Sequence, residues 1–146
     1  MRHDFVIAMK AVIIRDEHVL VLRRSAKEIA SSRMGHREPW DFPGGSIHFS
    51  ESTMTGLQRE IREETGLQVS MGEPISVFDV IKNQIHLCII TCSCQWMGQE
   101  VQLSEEHEDF FWVTKNEIEN MDLPRWMKRD IFRGFNMVDK SMSFDS

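Results

Sequence analysis

GGSIHFSESTMTGLQREIREETGL, residues 44–67, decides how the rest of the chain is read. It starts on two glycines, offers serine caps at Ser50 and Ser52, and ends in Glu60, Glu63 and Glu64 followed by Gly66. Capping and the C′ glycine predict a helix from Ser50 or Ser52 to Thr65. At about 100° per residue, Glu63 and Glu64 fall about 60° and 40° to either side of Glu60, so the three acids share one arc. Met54, Leu57 and Ile61 share the neighbouring arc and should pack on a sheet. Gly56 lies within the acidic arc and leaves room for a bulky neighbour. Glu60 and Glu64 repel at i,i+4, and of the nearby cations only Arg59 reaches an acid, Glu63. Crowded, uncompensated carboxylates are what a hard divalent cation requires. Gly44-Gly45 lets the backbone approach such an ion and offer a carbonyl, although Pro-Gly-Gly is also an ordinary turn.

Outward from this helix, "FVIAMKAVII" and "HVLVLRR" read as an antiparallel strand pair, and "WDF" as a short strand ended by Pro43-Gly44-Gly45. "PISVFDVI" and "IHLCIITCSCQW" form strands around "KNQ", and "DFFWV" another. "TKNEIENM" and "LPRWMKRDIFRGF" read as helices, the first with a threonine cap and the second with proline near its first turn. This order predicts an α/β fold, a mixed sheet between helices. Residues 1–136 read as one domain and 137–146 as a flexible tail.

The chain has 146 residues and a net charge of −6, which excludes a polybasic nucleic-acid binder. Its first residues are interrupted by Lys10 and too short for a membrane span, and they lack the small-residue cleavage site of a signal peptide and read as a strand. Three cysteines crowded into one strand indicate free thiols in a reducing, cytoplasmic setting. His86, Cys88, Cys92 and Cys94 share a strand face, but same-face neighbours about 7 Å apart cannot ring one zinc ion.

The spacing Gly45, Glu51, Arg59-Glu60-Ile61, Glu63-Glu64, Gly66-Leu67 resembles the Nudix box of the Nudix hydrolases at every defining position. "WDFPGG" and "EEHEDFFWVTKNEI" are similar to the flanks of MutT-type members, so nearly the whole chain is covered. The resemblance implies the Nudix α/β/α sandwich and cleavage of a nucleoside diphosphate linked to another group. It also implies Mg²⁺ or Mn²⁺ held by Glu60, Glu64, Glu63 and the Gly44 carbonyl, with Arg59 orienting Glu60. Glu51 would act near the metal from a position outside the helix. Glu60 is the candidate base, and Glu106 of "SEEHED" is the choice should a later loop supply it.

The basic connection from Arg23 to Arg37, with Arg24, Lys27 and Arg33, supplies a local cationic excess for phosphates. Arg23 and Arg37 are its candidate substrate contacts. Trp40, Phe78 and Asn83 are candidates for holding the base, and His107 stands beside Glu106. The chain lacks the tyrosine of diadenosine-polyphosphate members, the coenzyme A signature, and the downstream proline of ADP-ribose members, where Lys82 stands. A MutT-like nucleoside triphosphate pyrophosphohydrolase remains. An ADP-ribose or nucleoside diphosphate sugar pyrophosphatase, and a non-catalytic nucleotide-sensing domain, stay open. So does a homodimer.

Overall fold

The computed structural model describes residues 3–32 and 38–144, with side chains as far as Val138. Its centre is a strand that changes partners. β1 (Asp4–Arg15) turns at Asp16 into β2 (His18–Arg24), but the two pair only at Ile14↔Val19 and Arg15↔His18. Away from the turn they diverge, and residues 40–46 fill the fork. β3 (Trp40–Asp41) pairs with β2, while β4 (Gly44–Ser46) pairs with β1 at Ala8–Lys10. Phe42 is buried in the crotch, and the Pro43 carbonyl accepts from Ala11 N at 2.9 Å.

The other edge of β1 runs parallel to β6 (Ile85–Trp96), from Asp4↔Ile85 to Ile14↔Gln95. β6 pairs antiparallel with β5 (Val69–Lys82) through a hairpin whose turn residues, Asn83 and Gln84, both have positive φ. β7 (His107–Thr114) covers the outer edge of β2 and completes the seven-stranded mixed sheet.

β1 reads as an unbroken apolar run because it is covered on both faces. Met9, Ala11 and Ile13 pack beneath Leu57 and Ile61 of α2 (Thr53–Thr65). Val12 and Ile14 pack against Met127, Ile131 and Phe135 of α4 (Arg125–Phe144). α3 (Lys115–Asn120) starts from the predicted Thr114 cap, with a full capping box to Glu117. The expected α/β/α sandwich is therefore present.

Several local expectations change. α2 begins at Thr53, capped by the Ser52 side chain, and Gly66 closes it in the left-handed region. Met54 does not join its packed face and is 36% exposed. It sits in the first turn, beyond the reach of the sheet. Pro-Gly-Gly does not simply end a strand, since Gly44 opens β4. β5 starts at Val69, earlier than expected, and passes Pro74 at an irregularity, which an edge strand tolerates. The basic connection contains a short helix not foreseen, α1 (Ala26–Ala30), capped by Ser25. α4 continues through Phe144 rather than giving way to a tail at 137, and Val138 extends its apolar stripe.

Candidate active site

Gly44 enters β4 at φ 138, where a Cβ would run into the Met9 carbonyl oxygen. Next to it, a Cβ on Gly45 would stand 2.8 Å from the Glu60 carboxylate. The pair therefore does two jobs: it lets β4 press onto β1, and it leaves a cradle for Glu60. Gly44→Ala should destabilise the protein by about 2 kcal/mol or more, read from the urea midpoint.

Gly44 N donates to Glu64 Oε1 at 2.7 Å, and Glu64 is almost fully buried. Burial pushes its carboxyl up to about 9, the Asp41 and Glu106 charges add to this, and Lys10 and the Gly44 amide oppose it. Burial raises Glu60 as well, against the pull of Arg59.

The acids of α2 are better compensated than their helical arc suggests. Arg59 reaches Glu51 at 2.7 Å, Glu60 at 3.1 Å and Glu63 at 3.2 Å. Glu51 lies just outside the helix, as geometry required. Its carboxylate binds Arg59 and the His48 amide, which hold it down at about 2. Gly56 leaves the room anticipated, and Ile47 and Glu51 occupy it.

A second group of residues comes from the fork. Lys10 Nζ donates to Asp41 Oδ1 at 3.0 Å and to the carbonyls of Phe42 and Gly44, each at 3.3 Å. Arg24 adds a 3.1 Å bond to the same Asp41 oxygen. Burial works to raise the Asp41 carboxyl, but Lys10, His107 and Arg24 together hold it well below the usual range. His107 Nε2 meets Asp41 Oδ2 at 3.0 Å, while its Nδ1 faces Glu64 Oε2 at 3.9 Å.

The segment carrying Glu106 and His107 is tied to the end of α2, where Gln102 N donates to the Thr65 carbonyl and Ser104 N to that of Glu64. Glu64, Glu106 and His107 each bring one ligand atom within 4.8 Å of the others. That is a donor set suited to a divalent cation.

Lys10, Arg24, Asp41, Gly44, Glu64 and Glu106 line one end of a cavity of about 500 Å³. Its floor is the apolar cluster of Ala8, Ile85 and Leu87, and Asp130 and Trp126 of α4 stand on its wall. The expected contacts distribute unevenly. Phe78 lines the cavity and is 46% exposed. Arg23 instead pairs with Glu108 at 2.8 Å and stands over Trp40, which packs edge-on against Phe111. Neither lines the cavity, because alternation turns both toward the outer part of the α4 face. Asn83 is taken up by the β5–β6 turn. Arg33 and Arg37 lie outside the described residues.

Lys10, Asp41 and Asp130 escaped the sequence reading. The signal for Lys10 was present, as the lone cation inside an apolar strand.

A carboxylate helix held against a glycine cradle, beside a half-open cavity, is an arrangement suited to phosphoanhydride chemistry. The NUDIX domain family matches residues 5–134, and the chain belongs to that family. It is 32% identical over 95 residues to nucleoside triphosphatase NudI of Escherichia coli O17:K52:H18 (strain UMN026), covering 58% of this chain and 67% of that one. NudI of Enterobacter sp. (strain 638) is 29% identical over 107 residues, 66% of this chain and 76% of its own. Among solved structures, a MutT protein from Methanosarcina mazei Go1 superposes with a TM-score of 0.73 at 28% identity, over 96% of this chain and 99% of that one. The protein is thus a MutT-like Nudix hydrolase, an enzyme acting on nucleoside phosphates.

Proposed function

We propose that the protein is a nucleoside triphosphate pyrophosphohydrolase that releases a nucleoside monophosphate and pyrophosphate. The observation that carries this reading is the cavity of about 500 Å³, which joins an apolar floor to the acidic end of α2. The relatives named as nucleoside triphosphatases support the same substrate class.

Glu60, Glu63, Glu64 and the Gly44 carbonyl are assigned to hold Mg²⁺ or Mn²⁺. When bound, such an ion neutralises phosphate oxygens and acidifies a water. Arg59 fixes the Glu60 carboxylate against Gly45, so Glu60 is placed to take the proton of the attacking water. Lys10 and Arg24, bridged by Asp41, set a cationic rim for the phosphates, Arg24 coming from the basic connection and Lys10 from β1. The three free thiols accord with a cytoplasmic setting, and no helix among the described residues is long and apolar enough to cross a membrane.

Asp130 is assigned to the base. It is buried on the cavity wall, its Oδ1 makes no hydrogen bond and stands 3.5 Å from Arg129 Nε, and burial pushes its carboxyl up despite Ser76 and Arg129. Asp130→Ala should raise KM about tenfold or more for the preferred triphosphate and narrow its lead over the other bases, with kcat little changed.

The test of the whole reading is a panel of nucleoside triphosphates, nucleoside diphosphate sugars, ADP-ribose and dinucleoside polyphosphates with Mg²⁺ or Mn²⁺. Pyrophosphate should appear with one or more triphosphates. A preference for ADP-ribose, or release of orthophosphate alone, would overturn it.

A further inference from the structure

We propose that His107 is a nitrogen ligand for the catalytic cation, held in place by Asp41, and that the centre therefore favours transition ions over Mg²⁺. The inference rests on the hydrolase reading above and adds a ligand from outside the glutamate-rich helix.

The tautomer of His107 is set by its partner. Asp41 is flanked by Lys10 at 3.0 Å and Arg24 at 3.1 Å, so its carboxylate stays ionised and can only accept. His107 Nε2, 3.0 Å from Asp41 Oδ2, must then carry the proton of that bond. In the neutral ring this leaves Nδ1 as a bare lone pair.

That lone pair is a buried orphan. The His107 side chain is 2% exposed, and Nδ1 has no hydrogen-bond partner. The neighbour it faces, Glu64 Oε2 at 3.9 Å, is beyond hydrogen-bonding distance. A buried acceptor left without a donor is costly. A bound cation would satisfy this lone pair together with the oxygens of Glu64 and Glu106, which converge on the same space. The Glu106 oxygen completes the set, all three ligand atoms lying within 4.8 Å of one another.

Asp41 behind the ring does what an outer carboxylate does in metal sites: it fixes the tautomer and makes the free nitrogen more basic. The donor type sets the preference. Mg²⁺ takes oxygen and keeps its waters, whereas imidazole suits transition ions such as Fe²⁺, Ni²⁺ and Zn²⁺; Mn²⁺, the weakest of that series, serves as the spectroscopic probe.

The experiment is pulsed EPR on the protein loaded with Mn²⁺, in the absence of substrate. The parent should show ¹⁴N modulation from a directly bound imidazole, changed on labelling histidine with ¹⁵N. His107→Gln should abolish it and weaken Mn²⁺ about 10- to 100-fold while weakening Mg²⁺ far less. His48→Gln, which alters an exposed ring near Glu51, should leave the signal intact and excludes that ring as its source. Asp41→Asn, which removes the partner of the His107 ring, should alter the ¹⁴N coupling should His107→Gln not fold. Saturable Mn²⁺ without ¹⁴N modulation, or modulation lost in His48→Gln, overturns the proposal while sparing the cation-dependent hydrolase. No saturable Mn²⁺ at all overturns both.

Discussion

Glu60→Gln should lower kcat by about 10³-fold or more while the protein keeps its fold and still binds nucleotide. The side chain lies between Arg59, 3.1 Å away, and the space left by Gly45. Glutamine has the same shape and should fit that cradle, so lost packing would not explain the effect. What it lacks is the capacity to take a proton and the charge to attract a cation. Circular dichroism and nucleotide titration on the same sample separate chemistry from folding. A variant within about tenfold of the parent would remove Glu60 from the reaction and leave Glu106 as the base.

Glu64→Gln should also abolish turnover, yet make the cation-free protein more stable at pH 8. Burial, helped by the charges of Asp41 and Glu106, lifts the folded carboxyl from its ordinary 4.5 to about 9. Between those values the folded state holds a proton that the unfolded chain releases. The stability contributed by the neutral carboxyl is therefore complete below the unfolded value and is lost as pH rises toward 9. At pH 8 the loss is on the order of 3–5 kcal/mol. Glutamine keeps an oxygen for the Gly44 amide and never ionises, so it avoids that loss. Calorimetry in chelator should show the variant's advantage small at pH 5 and growing to about 5 °C or more at pH 8. Added divalent cation should stabilise the parent and not the variant. An advantage that does not change with pH would refute the assignment of Glu64 as a buried, cation-seeking acid.

Much of the helix was legible because its determinants are local. Ser52, Gly66 and the order of Arg59, Glu60, Glu63 and Glu64 lie within one short stretch, and their geometry follows from helical pitch. The charge balance was not legible. Glu51 is about half a turn out of phase with Glu60 on a continuous helix, yet leaving the helix at Ser52 brings its carboxylate to the same guanidinium. The fork was hidden for a related reason. Lys10, Asp41 and His107 are far apart along the chain and meet only because β1 exchanges β2 for β4. Strand pattern gives the faces of a strand and not the partner at each edge. Composition did not separate the roles within the basic loop: Arg24 joins Lys10 on Asp41, Arg23 pairs with Glu108, and Lys10 itself comes from the apolar strand.

The parallel ladder between β1 and β6 has a consequence for biosynthesis. Asp4 pairs with Ile85, so the first strand leaves the ribosome long before its main partner exists. At about 5–20 residues per second the delay is roughly 4–16 s. Throughout that interval a run of Val, Ile and Met destined for burial on both faces has little to cover it. A nascent chain built this way is a natural client for cotranslational holding factors, and slowing translation before Ile85 should increase its dependence on them.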